Sequence, residues 1–417
     1  MESLLFLTEE QVRTVRAKFG TPVYVYDQAT LEAQAAKLLA FPNAFGFSAR
    51  FAMKACPSAA VIRVLHKAGL GIDASSAFEV ERAMRAGVPA SAIQLTAQQL
   101  PEDLAVIVNK GVSFNACSLH QLESYGALFP GTDVCVRINP GLGSGHSNRT
   151  NVGGPSSGFG IWHEYLDDVI AIAKNHGLKL TAMHTHIGSG TDPEVWHRCA
   201  GMSLAIAARL PEVTKLSLGG GFKVGRMQGE KSTDLHEVGV RVKADFEEFA
   251  AQHGRQLELE LEPGTFLVAN AGVIVATAVD VVDTGADGYR FIKVDSGMTE
   301  VLRPSLYGAQ HPIVTVPADG ETRGSAEYLV IGHCCESGDV LTPEPGNPEG
   351  LLPRELVETR IGDLVVIGGS GAYCAAMPAK NYNSFPEAAE VMLTSNGELK
   401  LIRKRQTLDQ VLANEVL

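Results

Sequence analysis

The chain has 417 residues, 45% of them hydrophobic and 20% charged, which is the balance of an ordinary globular protein with room for two cores. A formal net charge of −12 argues against nucleic acid or an anionic membrane surface as the main partner, and no apolar run approaches the ~20 residues of a membrane span. Seven cysteines with no C-x-x-C pair, two of them adjacent at Cys334 and Cys335, point to a reducing cytoplasm rather than to disulfides; the N-terminus has no basic start or cleavage site of a signal peptide.

In chain order, Thr8 with Glu10 and Gln11 behind it predicts the cap of an amphipathic helix. The segment PVYVYD at 22–27 comes next and can add a strand to the units that follow. Eight strand candidates then appear: 47–52, 71–74, 93–96, 113–116, 134–138, 180–185, 216–219 and 257–261. Helical stretches such as 77–87 and 119–129 separate most of them. Strands alternating with helices imply parallel pairing, and eight repeats imply a closed (β/α)8 TIM-type barrel over about 28–272. After 272 the texture changes to turn-linked apolar runs, including YRFIKVDSG, EYLVIGHC and DLVVIGG. That pattern predicts an antiparallel β-domain over 273–417, grouped with residues 1–27. The Gly/Ser/Asn-rich stretch 141–160 is long for a loop inside a compact domain, which is the mark of a functional segment.

In such a barrel the chemistry sits where strands end. Lys54 follows the first strand, and Asp73 and Ser75 follow the second. Arg137 and Asn139 end the fifth; His184, His186, Gly188 and Ser189 follow from the sixth. Gly219, Gly220 and Gly221 end the seventh, and Glu260, Glu262 and Gly264 the eighth. A lysine after an apolar strand is expected to be partly desolvated, which suits an amine that bonds a carbonyl cofactor. His184 and His186, two apart on a strand, would face opposite ways, so no metal site is expected. Three glycines in a row let backbone N–H groups come close to a phosphate.

The pieces FAMKAC, HTHIGSG, GGG, EPG, RPSLYGA at 303–309, CESGD at 335–339, GAY at 371–373 and NYNS at 381–384 resemble the fold-type III pyridoxal-phosphate (PLP) decarboxylases. Within that family, which shares the alanine racemase-like barrel, the chain is most similar to the bacterial diaminopimelate decarboxylases. The resemblance covers nearly the whole chain and implies PLP-dependent removal of an amino acid's α-carboxylate, with meso-diaminopimelate to L-lysine the leading case. It implies that Lys54 bonds the cofactor, that His186 stacks on the pyridine face, and that Ser189 with Gly219, Gly220 and Gly221 lies near the phosphate. Glu262 pairs with the pyridine nitrogen, and Asp73 and Gly264 on the same rim join the cofactor-binding set. Arg303, Tyr307 and Glu336 touch substrate, Cys335 is the acid near Cα, and Tyr373 borders cofactor and substrate. A homodimer with shared active sites is implied as well. A carboxylate at Glu262 favours a protonated ring, the better electron sink, whereas alanine racemase is similar to an enzyme with arginine there; this favours decarboxylation over racemisation.

Two departures stand out. The family's Glu-Pro-Gly-Arg reads Glu262-Pro263-Gly264-Thr265 here, and its Asn-x-Arg-Pro reads Asn383-Ser384-Phe385-Pro386. Arginine binds a carboxylate through two charge-assisted hydrogen bonds, which threonine cannot replace. Either another cation compensates, with Arg149 and Lys380 as candidates, or a different amino acid is the substrate.

Overall fold

The computed structural model describes residues 1–142, 153–186, 190 and 192–416. The chain folds as two compact units: 32–224 with 231–267, and 1–31 with 225–230 and 268–417. The division falls at 31/32 and 267/268, a few residues from the expected 27/28 and 272/273, and the short segment 225–230 belongs with the second unit.

The first unit is a closed parallel barrel. Its strands are β2 (Phe47–Ala52), β3 (Gly71–Ala74), β4 (Ile93–Leu95), β5 (Ser113–Ala116), β6 (Asp133–Asn139), β8 (Lys179–His184), β9 (Lys215–Ser217) and β10 (Glu258–Leu261). They run in the order β5-β4-β3-β2-β10-β9-β8-β6, and β5–β6 pairing closes the ring. A two-residue β7 (Ile161–Trp162) adds to β6. All eight expected strands are present, with ends shifted by a residue or two. The strands are short and almost wholly buried, as parallel strands covered on both faces must be. Four of their helices start on side-chain caps: Ser76, Ser118, Asp192 and Asp234 each accept a first-turn N–H. Residues 143–152, including Arg149, and residues 187–189, including Ser189, lie outside the described residues.

The second unit is a curled sheet of nine strands. They are β1 (Val23–Asp27), β11 (Gly272–Asp283), β12 (Arg290–Val294), β13 (Ile313–Val316), β14 (Ser325–Ile331), β17 (Arg354–Val357), β18 (Leu364–Ile367), β19 (Ala389–Leu393) and β20 (Leu399–Arg403). A small hairpin, β15 (Pro343–Glu344) with β16 (Asn347–Leu351), stands beside it. Residues 23–27 join this sheet, with which residues 1–27 were grouped, and do not add a strand to the barrel: β1 pairs antiparallel with β11 and parallel with β19, Val23 lying opposite Val275 and Ala389. The sheet is mostly antiparallel, as expected, with β12–β14 a second parallel pair. Alternation shows that a strand is half-buried, but not which neighbour it chooses. Val23, Val25, Val273, Val275, Val366 and Val391 form the core, closed by Val12 and Val15 of the helix Glu9–Phe19, whose Thr8–Gln11 capping box is as expected.

Candidate active site

In the barrel, the functional side chains gather at the C-terminal ends of the strands. Lys54 sits in a single 3₁₀ turn (Met53–Ala55) directly after β2. Its side chain is exposed, where a partly desolvated amine was expected. Asp73, the third residue of β3, is buried; burial raises its carboxyl, and Lys54 is the main opposing influence.

Glu262 is the best-defined group. It lies one residue past β10 and is buried. Its Oε1 accepts from Gln94 Nε2 at 3.0 Å and Ser217 Oγ at 2.8 Å. Asn115 Nδ2 donates to His184 Nδ1 at 2.8 Å, which leaves the ring proton on Nε2, 3.4 Å from Glu262 Oε2. His184 is itself held neutral, well below the usual histidine range, by burial first and then Arg137. Glu262 thus has neutral donors around it and carboxylates behind it. Its pKa is pushed up to about 8, by burial first, then Asp73 and Glu260. Gln94 and Ser217 hold this carboxyl by hydrogen bonds, and His184, itself fixed by Asn115, stands beside it. Sequence reasoning assigned none of them a role, although polar side chains at buried strand ends were the signal.

His184 is the last residue of β8, and His186, two residues on, falls on the same face because side chains along an extended chain alternate with a period of two. Their rings are therefore neighbours, with centroids 6.3 Å apart and planes 25° apart, not turned to opposite faces as expected. Burial, then Arg137 and Lys54, hold His186 far below the usual range, and its Nδ1 has no hydrogen-bond partner among the described residues. The glycine triplet makes these approaches possible. A Cβ at Gly219, where φ is +70°, would lie 2.7 Å from His186 Nδ1, and one at Gly220 would lie 2.5 Å from the Glu262 carbonyl. At Gly264 it would lie 2.9 Å from Ala55 Cβ, so the Glu-Pro-Gly turn packs directly on the lysine turn.

The second unit holds the other expected residues in two groups. Cys335 and Glu336 are exposed in a loop anchored by Asp339, whose carboxylate accepts from Met298 N (2.7 Å) and Cys334 N (3.0 Å). Asn383, at φ +50°, accepts from Cys335 N at 2.9 Å. Of the adjacent cysteines, Cys334 is pushed up to about 12, by burial first and then Asp339, and stays a thiol. A cavity of about 500 Å³ is lined by Met298, Glu336, Ala379, Lys380, Asn381 and Tyr382. In the other group, Arg303 and Tyr307 share the short helix Arg303–Tyr307, and Tyr373 adopts φ +57°, an uncommon conformation for an aromatic residue and a mark of functional strain.

The two departures have visible neighbours. Phe385 stacks on His333 with centroids 3.7 Å apart and planes 4° apart, next to the Cys335 loop. Lys380 is paired with Glu387 at 3.0 Å, so its charge is already answered. Arg226, which the sequence reading passed over, lies in the same unit as Arg303 and Tyr373.

The barrel's rim suits PLP. A buried carboxyl lifted to about 8, with no Lys or Arg ion pair among the described residues, is completed by a protonated ring nitrogen, and the neutral ring of His186 and the glycine turn suit a flat, phosphate-bearing group. Residues 31–269 match the family described as pyridoxal-dependent decarboxylase, pyridoxal binding domain. The chain belongs to the pyridoxal-dependent decarboxylases. It is 37% identical to diaminopimelate decarboxylase of Escherichia coli strain K12 over 99% of this chain and 97% of that one. It is 38% identical to the Streptomyces coelicolor enzyme of the same name, over 96% and 90%. A crystal structure of diaminopimelate decarboxylase superposes with a TM-score of 0.92 at 36% identity, covering all of both chains. This decarboxylase is a PLP enzyme, and no helix among its described residues is long and apolar enough to cross a membrane.

Proposed function

We propose that this decarboxylase removes one α-carboxylate of meso-diaminopimelate, giving L-lysine and CO2. The observation that carries the reading is Glu262: a buried carboxyl on neutral donors, raised to about 8 and without a Lys or Arg ion pair among the described residues. Full-length identity to diaminopimelate decarboxylases supports the substrate. When bound, PLP supplies the electron sink that takes up the electron pair left by departing CO2. Lys54 would hold it covalently, Glu262 would pair with its ring nitrogen, and His186 would cover its ring. Asp73, Ser189, Gly219, Gly220, Gly221, Gly264 and Tyr373 complete the cofactor set. Arg303, Tyr307, Glu336 and Tyr373 bind substrate. Cys335 Sγ returns a proton to the carbon that lost CO2, a task its exposure suits. The reading includes a homodimer in which Cys335 and Glu336 complete the partner's site, and a cytoplasmic location, which seven free thiols support.

The test is CO2 release from meso-diaminopimelate, ornithine, lysine and arginine by the PLP-loaded protein, alongside Lys54→Ala. Diaminopimelate should be the best substrate, and Lys54→Ala should lose both the visible absorbance of lysine-bound PLP and nearly all turnover. A Lys54→Ala protein with an unaltered absorbance band would overturn the cofactor assignment, and preference for another amino acid would overturn the substrate.

A further inference from the structure

Thr265 and Phe385 leave two family arginines unreplaced in place, yet meso-diaminopimelate keeps one carboxylate after the other has gone. A carboxylate in a closed site without a cation is expensive. The second unit contains a cation that no motif announced. Arg226 Nε donates to the Gly369 carbonyl at 3.0 Å. The adjacent carbonyl, of Gly368, accepts from His311 Nδ1 at 2.8 Å, and His311 Nε2 accepts from Arg303 Nη1 at 2.8 Å. Two consecutive carbonyls after β18 therefore hold two guanidinium groups, one directly and one through a histidine. His311 is fully buried and held neutral, well below the usual range, by burial first and then by Arg303 and Arg226.

The local chain is shaped to deliver Arg226. Its turn is tied by the Glu230 carboxylate, which accepts from Arg226 N at 2.8 Å, and Asn270 Nδ2 donates to the Gly225 carbonyl at 3.0 Å. The side chain passes over Gly369, at φ +61°, where a Cβ would sit 2.8 Å from Arg226 Cδ. The residue is half-buried overall, but Nη2 is out of contact with solvent and has no hydrogen-bond partner among the described residues. Neither guanidinium has a carboxylate ion-pair partner among those residues. Like charges held together with an unused buried donor are completed by an anion.

We propose that Arg226 acts with Arg303 as the cradle for the carboxylate the substrate retains. The inference rests on the decarboxylase reading and makes Arg226 a specificity-determining residue. L-Lysine carries the retained carboxylate and cadaverine lacks it, so their affinities for the PLP-loaded protein, measured by calorimetry, isolate the cradle. Wild type should favour L-lysine. Arg226→Gln should weaken L-lysine roughly tenfold to a hundredfold while leaving cadaverine unchanged, as expected for loss of a charge-assisted contact. Arg226→Lys should recover part of the loss, because it keeps the charge without the planar fork. An L-lysine to cadaverine ratio unchanged in a folded Arg226→Gln protein overturns the inference. Should that variant not fold, equal affinity of wild type for the two ligands overturns it equally. Absence of CO2 release from diaminopimelate by wild type would instead count against the decarboxylase reading, which separates the two failures.

Discussion

Replacing Glu262 with glutamine keeps an acceptor oxygen for Ser217 and Gln94 but removes the proton-binding site. In the cofactor-free protein this carboxyl is lifted from 4.5 to about 8, by burial first and then by Asp73 and Glu260. The fold therefore holds a proton that the unfolded chain releases at lower pH. A raised folded pKa confers stability that is fully present below about 4.5, drains away as pH rises, and is gone above about 8. At 1.4 kcal/mol per pH unit the loss approaches roughly 5 kcal/mol. That figure is a ceiling, because Asp73 is buried in the same cluster and titrates with Glu262. Urea unfolding of the cofactor-free protein at several pH values across this window reads the slope. Wild type should lose stability steeply and Glu262→Gln less so; a residual slope from Glu300, raised to about 7 chiefly by burial, persists in both. PLP, by giving Glu262 a cation, should flatten the wild-type profile. Parallel profiles for wild type and Glu262→Gln would show that the carboxyl is not held protonated by the fold.

Mixing Lys54→Ala with Cys335→Ala subunits should restore part of the activity, because a shared-site heterodimer has one site with both defects and one with neither; confirmed exchange without activity would rule sharing out. Phe385→Ala removes the stack on His333 and should lower stability by about 1–2 kcal/mol in denaturant titration. It should also speed alkylation of Cys335, whose loop lies beside that stack, and Phe385→Trp should restore both; an unchanged alkylation rate would limit Phe385 to a structural role.

The barrel was legible because most of its strands are short apolar runs followed by a helix, some with their own cap, as at Ser76 and Ser118. Pairing partners were not: VYVYD reads as a strand, but nothing in those residues names β11 and β19 as its neighbours. Strand ends located the carboxyl at 262, and the structure shows what motif reading leaves out, namely the donors at 94 and 217 that hold it. Lys54 falls directly after β2, as the sequence placed it, but its side chain is exposed, and burial of a single side chain in a turn cannot be read from the apolar strand before it. Arg226 escaped because no motif contains it, and its meaning depends on Gly369, more than a hundred residues later.

The position of β1 also governs the order in which the molecule can assemble. Residues 23–27 leave the ribosome early, but the strands on either side of them begin at 272 and 389. The barrel between can close on its own parallel ladder while this apolar, β-branched segment waits with both edges unpaired. Such long-range closure is slow, and an open strand edge invites pairing with other chains. Synthesis of the last strands therefore ends a period of exposure for the N-terminal segment, and a chain truncated before 389 would carry that open edge permanently.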